Sequence, residues 1–276
     1  MRIVNLIENT EGINACLFEH GLSFYIETKK HKLLVDTGQS DAFIANALKL
    51  GINLAEVDIV VLSHGHYDHS GGIMEFAKIN SKARILMQKS ATDEYYHKNK
   101  LIEKYIGVDE NIKTLPGVEL LEGDLHLDDE LFLYSGVTGR RLWPKGNLEL
   151  MVKKDGAFIL DEFKHEQYLV ITDDHKKVLI SGCAHNGVLN ILERYRSIYG
   201  NNPDVMISGF HMMKKNGEYT QDEIDVIEET AKELSKIHTK FYTGHCTGEL
   251  PYQIMKEYMG EQLVYVHSGD EVVVDK

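Results

Sequence analysis

The stretch VLSHGHYDHSGGI, residues 61–73, places His64, His66, Asp68 and His69 within six residues. Neutral imidazole is a ligand for zinc, iron and manganese, and a carboxylate suits a hard, partly hydrated divalent ion. In an extended segment side chains alternate in direction, so His64, His66 and Asp68 can converge on one side. His69 has the other parity and needs a turn, which Ser70-Gly71-Gly72 readily provides. A single loop would thereby assemble much of two neighbouring cation sites. The bland alternative is a polar surface loop that holds nothing; a position between an apolar strand and a helix argues against it.

The same punctuation recurs downstream. A short apolar strand stops at a small residue and then delivers a histidine: DIVVLSH for His64, VLISGCAH for His185, DVMISGFHM for His211 and KFYTGHCTG for His245. Upstream, GLSFYIETKKHKLLVDTG reads as a hairpin, and the N-terminal residues as a first strand. DAFIANALKLGI has helical spacing, with Phe43, Ile44, Ala47 and Leu48 on one side. VDIVVL (57–62) and ARILMQ (83–88) read as strands and GGIMEFAKI as a helix. Later, LELMVKK, QYLVIT and LVYVH read as strands, while GVLNILERYRSIY, roughly 220–237, and PYQIMKEYM read as helices. Residues 90–147 are less regular, with turn signals at PGVE, SGVTG and WPKGN. They form an elaboration that either covers the site or is a plain surface connection. No short repeat or low-complexity linker divides the chain, so 1–276 reads as a single domain.

Composition narrows the function classes. Hydrophobic content of 43% and charged content of 26% are those of a soluble globular protein. No apolar run approaches the roughly 18 residues of a membrane span, and the N-terminus lacks the apolar stretch of an export signal, so a cytoplasmic location is expected. A net charge of −13 argues against nucleic-acid binding. It leaves room for a small anionic substrate, because bound divalent ions add local positive charge. Cys16, Cys183 and Cys246 form neither a CxxC pair nor a disulfide framework. No G-x-S-x-G elbow, Walker-type loop or dinucleotide fingerprint is present.

H-x-H-x-D-H after an apolar strand, preceded by LLVDTG (33–38), resembles the metallo-β-lactamase fold superfamily. The resemblance spans essentially the whole chain. It implies an α/β architecture, an αββα sandwich of two mixed β-sheets face to face with helices outside and the metal site at one edge. It further implies two divalent ions, zinc first and iron or manganese as alternatives. The first ion would be held by His64, His66 and His185, the second by Asp68, His69 and His245. Asp36 would stand behind a ligand imidazole and hold its tautomer. Many members have an aspartate bridging both metals after a strand-ending glycine, where this chain has Cys183. Cys183 is therefore either a thiolate bridge or a small buried residue, and His165 is a weaker candidate for the third ligand of the first ion. The motifs ISGCAHNGVLNIL, ISGFHM and TGHCTG resemble the branch named for 7,8-dihydropterin-6-methyl-4-(β-D-ribofuranosyl)-aminobenzene-5′-phosphate synthase.

The expected chemistry is Lewis-acid hydrolysis of a small phosphorylated or ester-containing substrate by a hydroxide held at the ions, or displacement of a diphosphate by an amine at the same ions. Asp68 and His211 are the candidate catalytic residues, with His211 a metal ligand, a proton donor to a leaving group or a substrate anchor. An iron-binding redox protein on the same fold, or a catalytically silent metal-binding module, are the alternatives. His20, His31, His97, His126, His175, His238 and His267 read as residues of polar turns and helix faces.

Overall fold

Successive residues of single strands enter different apolar clusters in the computed structural model, which describes residues 1–12, 15–214 and 216–274. In Lys32–Val35, Leu33 and Val35 join one cluster and Leu34 another; Val178 and Ile180 part from Leu179 in the same way, and Val205 and Ile207 from Met206. Side chains leave a strand alternately on opposite faces, so strands apolar throughout must be covered on both sides.

Two seven-stranded mixed sheets supply one of those covers to each other. The first runs Glu271–Val272, Arg2–Ile7, Ser23–Glu27, Lys32–Val35, Ile59–Val61, Arg84–Gln88, Val118–Leu121; it is antiparallel up to Lys32–Val35 and parallel beyond. The second runs Leu263–Tyr265, Lys240–Thr243, Val205–Ile207, Lys176–Ile180, Tyr168–Asp173, Leu131–Tyr134, Leu125–His126; its first four strands are parallel. Between the sheets Ile26, Leu33, Ile59 and Leu86 meet Leu133, Leu169, Val178 and Ile207. Outside the first sheet lie the helices Ala42–Lys49 and Ile73–Ile79, which bury Phe43 and Phe76. Outside the second lie Val188–Tyr199, Gln221–Ser235 and Glu249–Met259, burying Leu192, Leu234 and Met255. Gln221–Ser235 starts at a reciprocal capping box between Thr220 and Glu223. The architecture is the expected αββα sandwich.

Parallel neighbours end at the same edge of a sheet, and α/β proteins bind ligands beyond those carboxyl ends. Val35, Val61, Ile180, Ile207 and Thr243 are such ends, and every histidine delivered by a strand follows one of them.

The 90–147 stretch holds more regular structure than its sequence suggests. Glu94–Lys98 and Glu103–Tyr105 pair with Leu150–Lys154 and Ala157–Leu160 in a separate four-stranded sheet. Val118–Leu121, Leu125–His126 and Leu131–Tyr134 extend the two large sheets. These strands are two to five residues long and mostly half-exposed, so little apolar alternation marks them. The small sheet buries Tyr95 and Val152 with Phe163 and so flanks the histidine-rich edge. Among the described residues no helix is long and apolar enough to cross a membrane.

Candidate metal centre

Four of the loops that leave the strand ends bend through left-handed backbone: φ is 61° at Asp36, 53° at Ala184, 50° at His211 and 50° at His245. Non-glycine residues in this region cost of order 1–3 kcal/mol each and persist where surrounding structure imposes them. Buried carboxylates do much of that imposing. Glu166 accepts from the backbone N–H groups of His185 and Asn186 at 2.6 and 2.9 Å, and Glu8 accepts from that of His245 at 3.0 Å. Gly182 is held to glycine by crowding, since a Cβ there would lie 2.2 Å from Ser63 Oγ and 3.1 Å from His64 Nδ1.

His64, His66 and His185 form one cluster, with ring centroids 4.6 to 4.8 Å apart. The Nε2 atom of each ring is buried and has no hydrogen-bond partner. For two of the rings the partners of Nδ1 explain which nitrogen is left open. Ser63 Oγ spends its proton on Asp36 Oδ2 at 2.7 Å, so it accepts from His64 Nδ1 at 2.8 Å. Asn147 Oδ1 accepts from His185 Nδ1 at 2.9 Å. A neutral imidazole whose Nδ1 carries the proton presents a lone pair at Nε2. Burial, reinforced by the neighbouring imidazoles, holds His64 and His185 well below the usual histidine range and His66 at about 3. Three buried, neutral, unpartnered nitrogens on packed neighbouring rings are a poor arrangement without a cation and a good one with it.

Asp68, His69 and His245 form the second cluster. His69 Nε2 lies 3.2 Å from His245 Nε2, and Asp68 Oδ2 is 3.7 and 3.5 Å from these two nitrogens. His69 Nδ1 donates to Asp36 at 2.6 Å, and His245 Nδ1 to Asn9 Oδ1 at 2.8 Å. Alternation alone does not bring Asp68 here, contrary to expectation. The extended backbone ends at His66, and Tyr67–Ser70 is one helical turn, which turns Asp68 and His69 together. Burial pushes His69 down, but the charges of Asp36 and Asp68 outweigh it and raise it to about 9.

In the cation-free protein these shifts act in opposite pH ranges. His66, at about 3, binds fewer protons folded than unfolded below the ordinary 6.5, so stability falls as pH drops from 6.5 toward 3. His69, at about 9, binds more protons folded than unfolded, so its contribution is complete below 6.5 and lost as pH rises through 9. Above pH 6.5 the loss from His69 is opposed by Cys246, whose thiol is held well below its usual range, so denaturation of chelator-treated protein should show its clear fall on the acid side, below pH 6.5, with a slope of up to roughly 1.4 kcal/mol per pH unit per histidine. A profile flat between about pH 4 and 6.5 would contradict this account.

Cys183 lies between the clusters, its Sγ 3.1 Å from His69 Nε2; burial pushes its thiol well above the usual range. The His211 ring stands 4.1 Å from that of His185, and its Nδ1 is buried without a partner. It also lines a cleft with Lys145, Met213, Lys214, Tyr219 and Glu223. His165 is close by but engaged at both nitrogens: Nδ1 accepts from Gly65 N at 2.8 Å and Nε2 faces Asp161 at 2.9 Å. It therefore offers no lone pair to a cation. His20, read from sequence as a residue of a polar turn, is at the centre instead, with Nε2 3.3 Å from Asp68 Oδ2. No local signal marks it, nor Asn9 and Asn147, because each reaches its partner only through the fold.

The sequence profile of the metallo-beta-lactamase superfamily matches residues 17–212. The 7,8-dihydropterin-6-methyl-4-(beta-D-ribofuranosyl)-aminobenzene-5′-phosphate synthase of Methanocaldococcus jannaschii is 28% identical, over 98% of this chain and 95% of that protein. A crystal structure of a metal-dependent hydrolase of the beta-lactamase superfamily is similar with a TM-score of 0.82 and 30% identity, covering 100% of both chains. Zinc-bound PqqB from Methylobacterium extorquens shares the fold, with a TM-score of 0.60, 14% identity and coverage of 99% and 100%.

Proposed function

The chain belongs to the metallo-beta-lactamase superfamily, and from that membership we propose that it is a metal-dependent hydrolase or phosphate-handling transferase. Its substrate is a small phosphorylated or ester-containing molecule. The observation that carries this reading is the packing of three imidazoles, of His64, His66 and His185, each with a buried Nε2 that has no hydrogen-bond partner. Those three residues would hold one divalent ion, and Asp68, His69 and His245 a second. The nitrogen-rich set suits zinc first, with iron and manganese as the alternatives. Bound there, such ions lower the pKa of water to about 7 and polarise a carbonyl or phosphoryl oxygen.

The remaining work falls to the chain's own side chains. Asp36, Asn147 and Asn9 keep protons on Nδ1 of His69, His185 and His245 and so keep Nε2 of each turned inward. His211, beside His185 and on the wall of the cleft, would hand a proton to a leaving group. The near full-length likeness to a synthase whose name includes a 5′-phosphate supports a phosphorylated substrate.

The test is metal analysis joined to turnover. Protein stripped with chelator and reloaded with zinc, manganese or iron should bind two ions per chain. It should then hydrolyse at least one class among phosphomonoesters, phosphodiesters, lactones and thioesters, and only when loaded. Turnover that survives complete stripping, or a protein that takes up no ion, refutes the reading; full loading without any turnover favours the silent module.

A further inference from the structure

The two clusters share a sulfur. Cys183 Sγ lies within 4.8 Å of the ligand nitrogens of His64 and His185, and equally of those of His69 and His245. It is 3% exposed. Two of the nitrogens around it, Nε2 of His64 and of His185, are buried and unpartnered. A cysteine kept only for packing would point its sulfur at hydrocarbon, whereas this one stands among imidazoles from three loops, those of His64 and His69, of His185 and of His245. The loop carrying it is pinned by the Glu166 bonds to His185 and Asn186 and bent at Ala184.

We propose that Cys183 supplies a thiolate ligand common to both cation sites, an inference that rests on the metal-dependent reading above. The S–H bond breaks as sulfur–metal bonds form, and the proton passes to bulk buffer. A shared thiolate biases the centre toward zinc and iron and away from manganese and magnesium, which a carboxylate in the same place would accept. Cys246 is the neighbouring sulfur; its Sγ meets the Cys183 thiol and the His211 side chain as well as the N–H of His211 and the carbonyl of Cys183, and it groups with His211, whereas Cys183 groups with His64 and His185 and with His69 and His245. Cys246 is therefore the control.

X-ray absorption at the zinc edge of wild-type protein holding two zinc ions should show one sulfur neighbour per zinc, at about 2.3 Å, among nitrogen and oxygen neighbours at about 2.0–2.2 Å. An average of half a sulfur per zinc, or a shell of nitrogen and oxygen alone, overturns the shared thiolate while leaving the six-residue ligand set standing. No zinc uptake at all removes both. In cobalt-loaded protein, the sulfur-to-cobalt charge-transfer absorption should be lost in Cys183→Ser and kept in Cys246→Ser. Its persistence in Cys183→Ser, or its loss in Cys246→Ser alone, assigns the sulfur elsewhere and overturns the proposal.

Discussion

Replacing His66 with alanine is expected to empty the three-histidine cluster and lower turnover by roughly 10³-fold or more, since a Lewis acid contributes several kcal/mol to such reactions. The argument is about what His66 does not do in the fold. Its Nε2 has no hydrogen-bond partner and its ring is almost fully buried among other imidazoles. Removing it deletes no intramolecular bond at that atom and relieves a desolvated polar group, against a loss of ring packing. The cation-free variant should therefore still fold. Its deficit should appear when zinc is added: wild type gains thermal stability by mass action on the folded state, and His66→Ala gains far less. Elemental analysis, zinc-dependent melting and turnover of the same preparations check this. Unimpaired metal content together with unimpaired turnover would remove His66 from the centre.

Asp36→Asn should lower zinc affinity 10- to 100-fold without touching any ligand, and destabilise the cation-free protein by about 3–5 kcal/mol as a broken buried ion pair. Asp36 accepts three hydrogen bonds: from Ser63 N at 2.7 Å, Ser63 Oγ at 2.7 Å and His69 Nδ1 at 2.6 Å. An amide has one oxygen to offer. If that oxygen keeps Ser63 N, the NH₂ group faces Ser63 Oγ and His69 Nδ1. His69 Nδ1 must then accept, which puts its proton on Nε2, the atom that faces the cation. Asparagine tolerates the left-handed backbone at this position, so the substitution isolates the hydrogen-bond effect from strain. Competition with a chromophoric chelator measures the affinity, and the loss of stability that His69 contributes above pH 6.5 should shrink as it loses its carboxylate. An unchanged zinc affinity would show that the tautomer of His69 is not set by Asp36.

Much of the centre was legible because its donors are locally dense. Four candidate ligands sit on one loop, and each later histidine follows a short apolar strand; the layered sandwich was implied by the family these motifs resemble. The parts that were not legible have no local signature. Asp68 reaches its cluster through a helical turn of Tyr67–Ser70 rather than through alternation. His20 lies in an irregular segment with no periodicity, and only the closure of the N-terminal strands beside the His245 loop brings it to Asp68. The pairing strands within 90–147 are too short for an apolar period to show.

By itself the sequence determined the donor types and the short strands that deliver histidines, since periodicity and residue chemistry are properties of neighbouring residues; the layers and the edge were implied by the family resemblance those motifs carry. Tertiary structure alone decided which nitrogen of His69, His185 and His245 faces inward, that His165 is engaged at both nitrogens, and that Cys183 stands between the clusters. The reason is distance along the chain: the groups that set those tautomers lie 33, 38 and 236 residues away from the rings they hold, and only the packed fold brings each pair within hydrogen-bond reach.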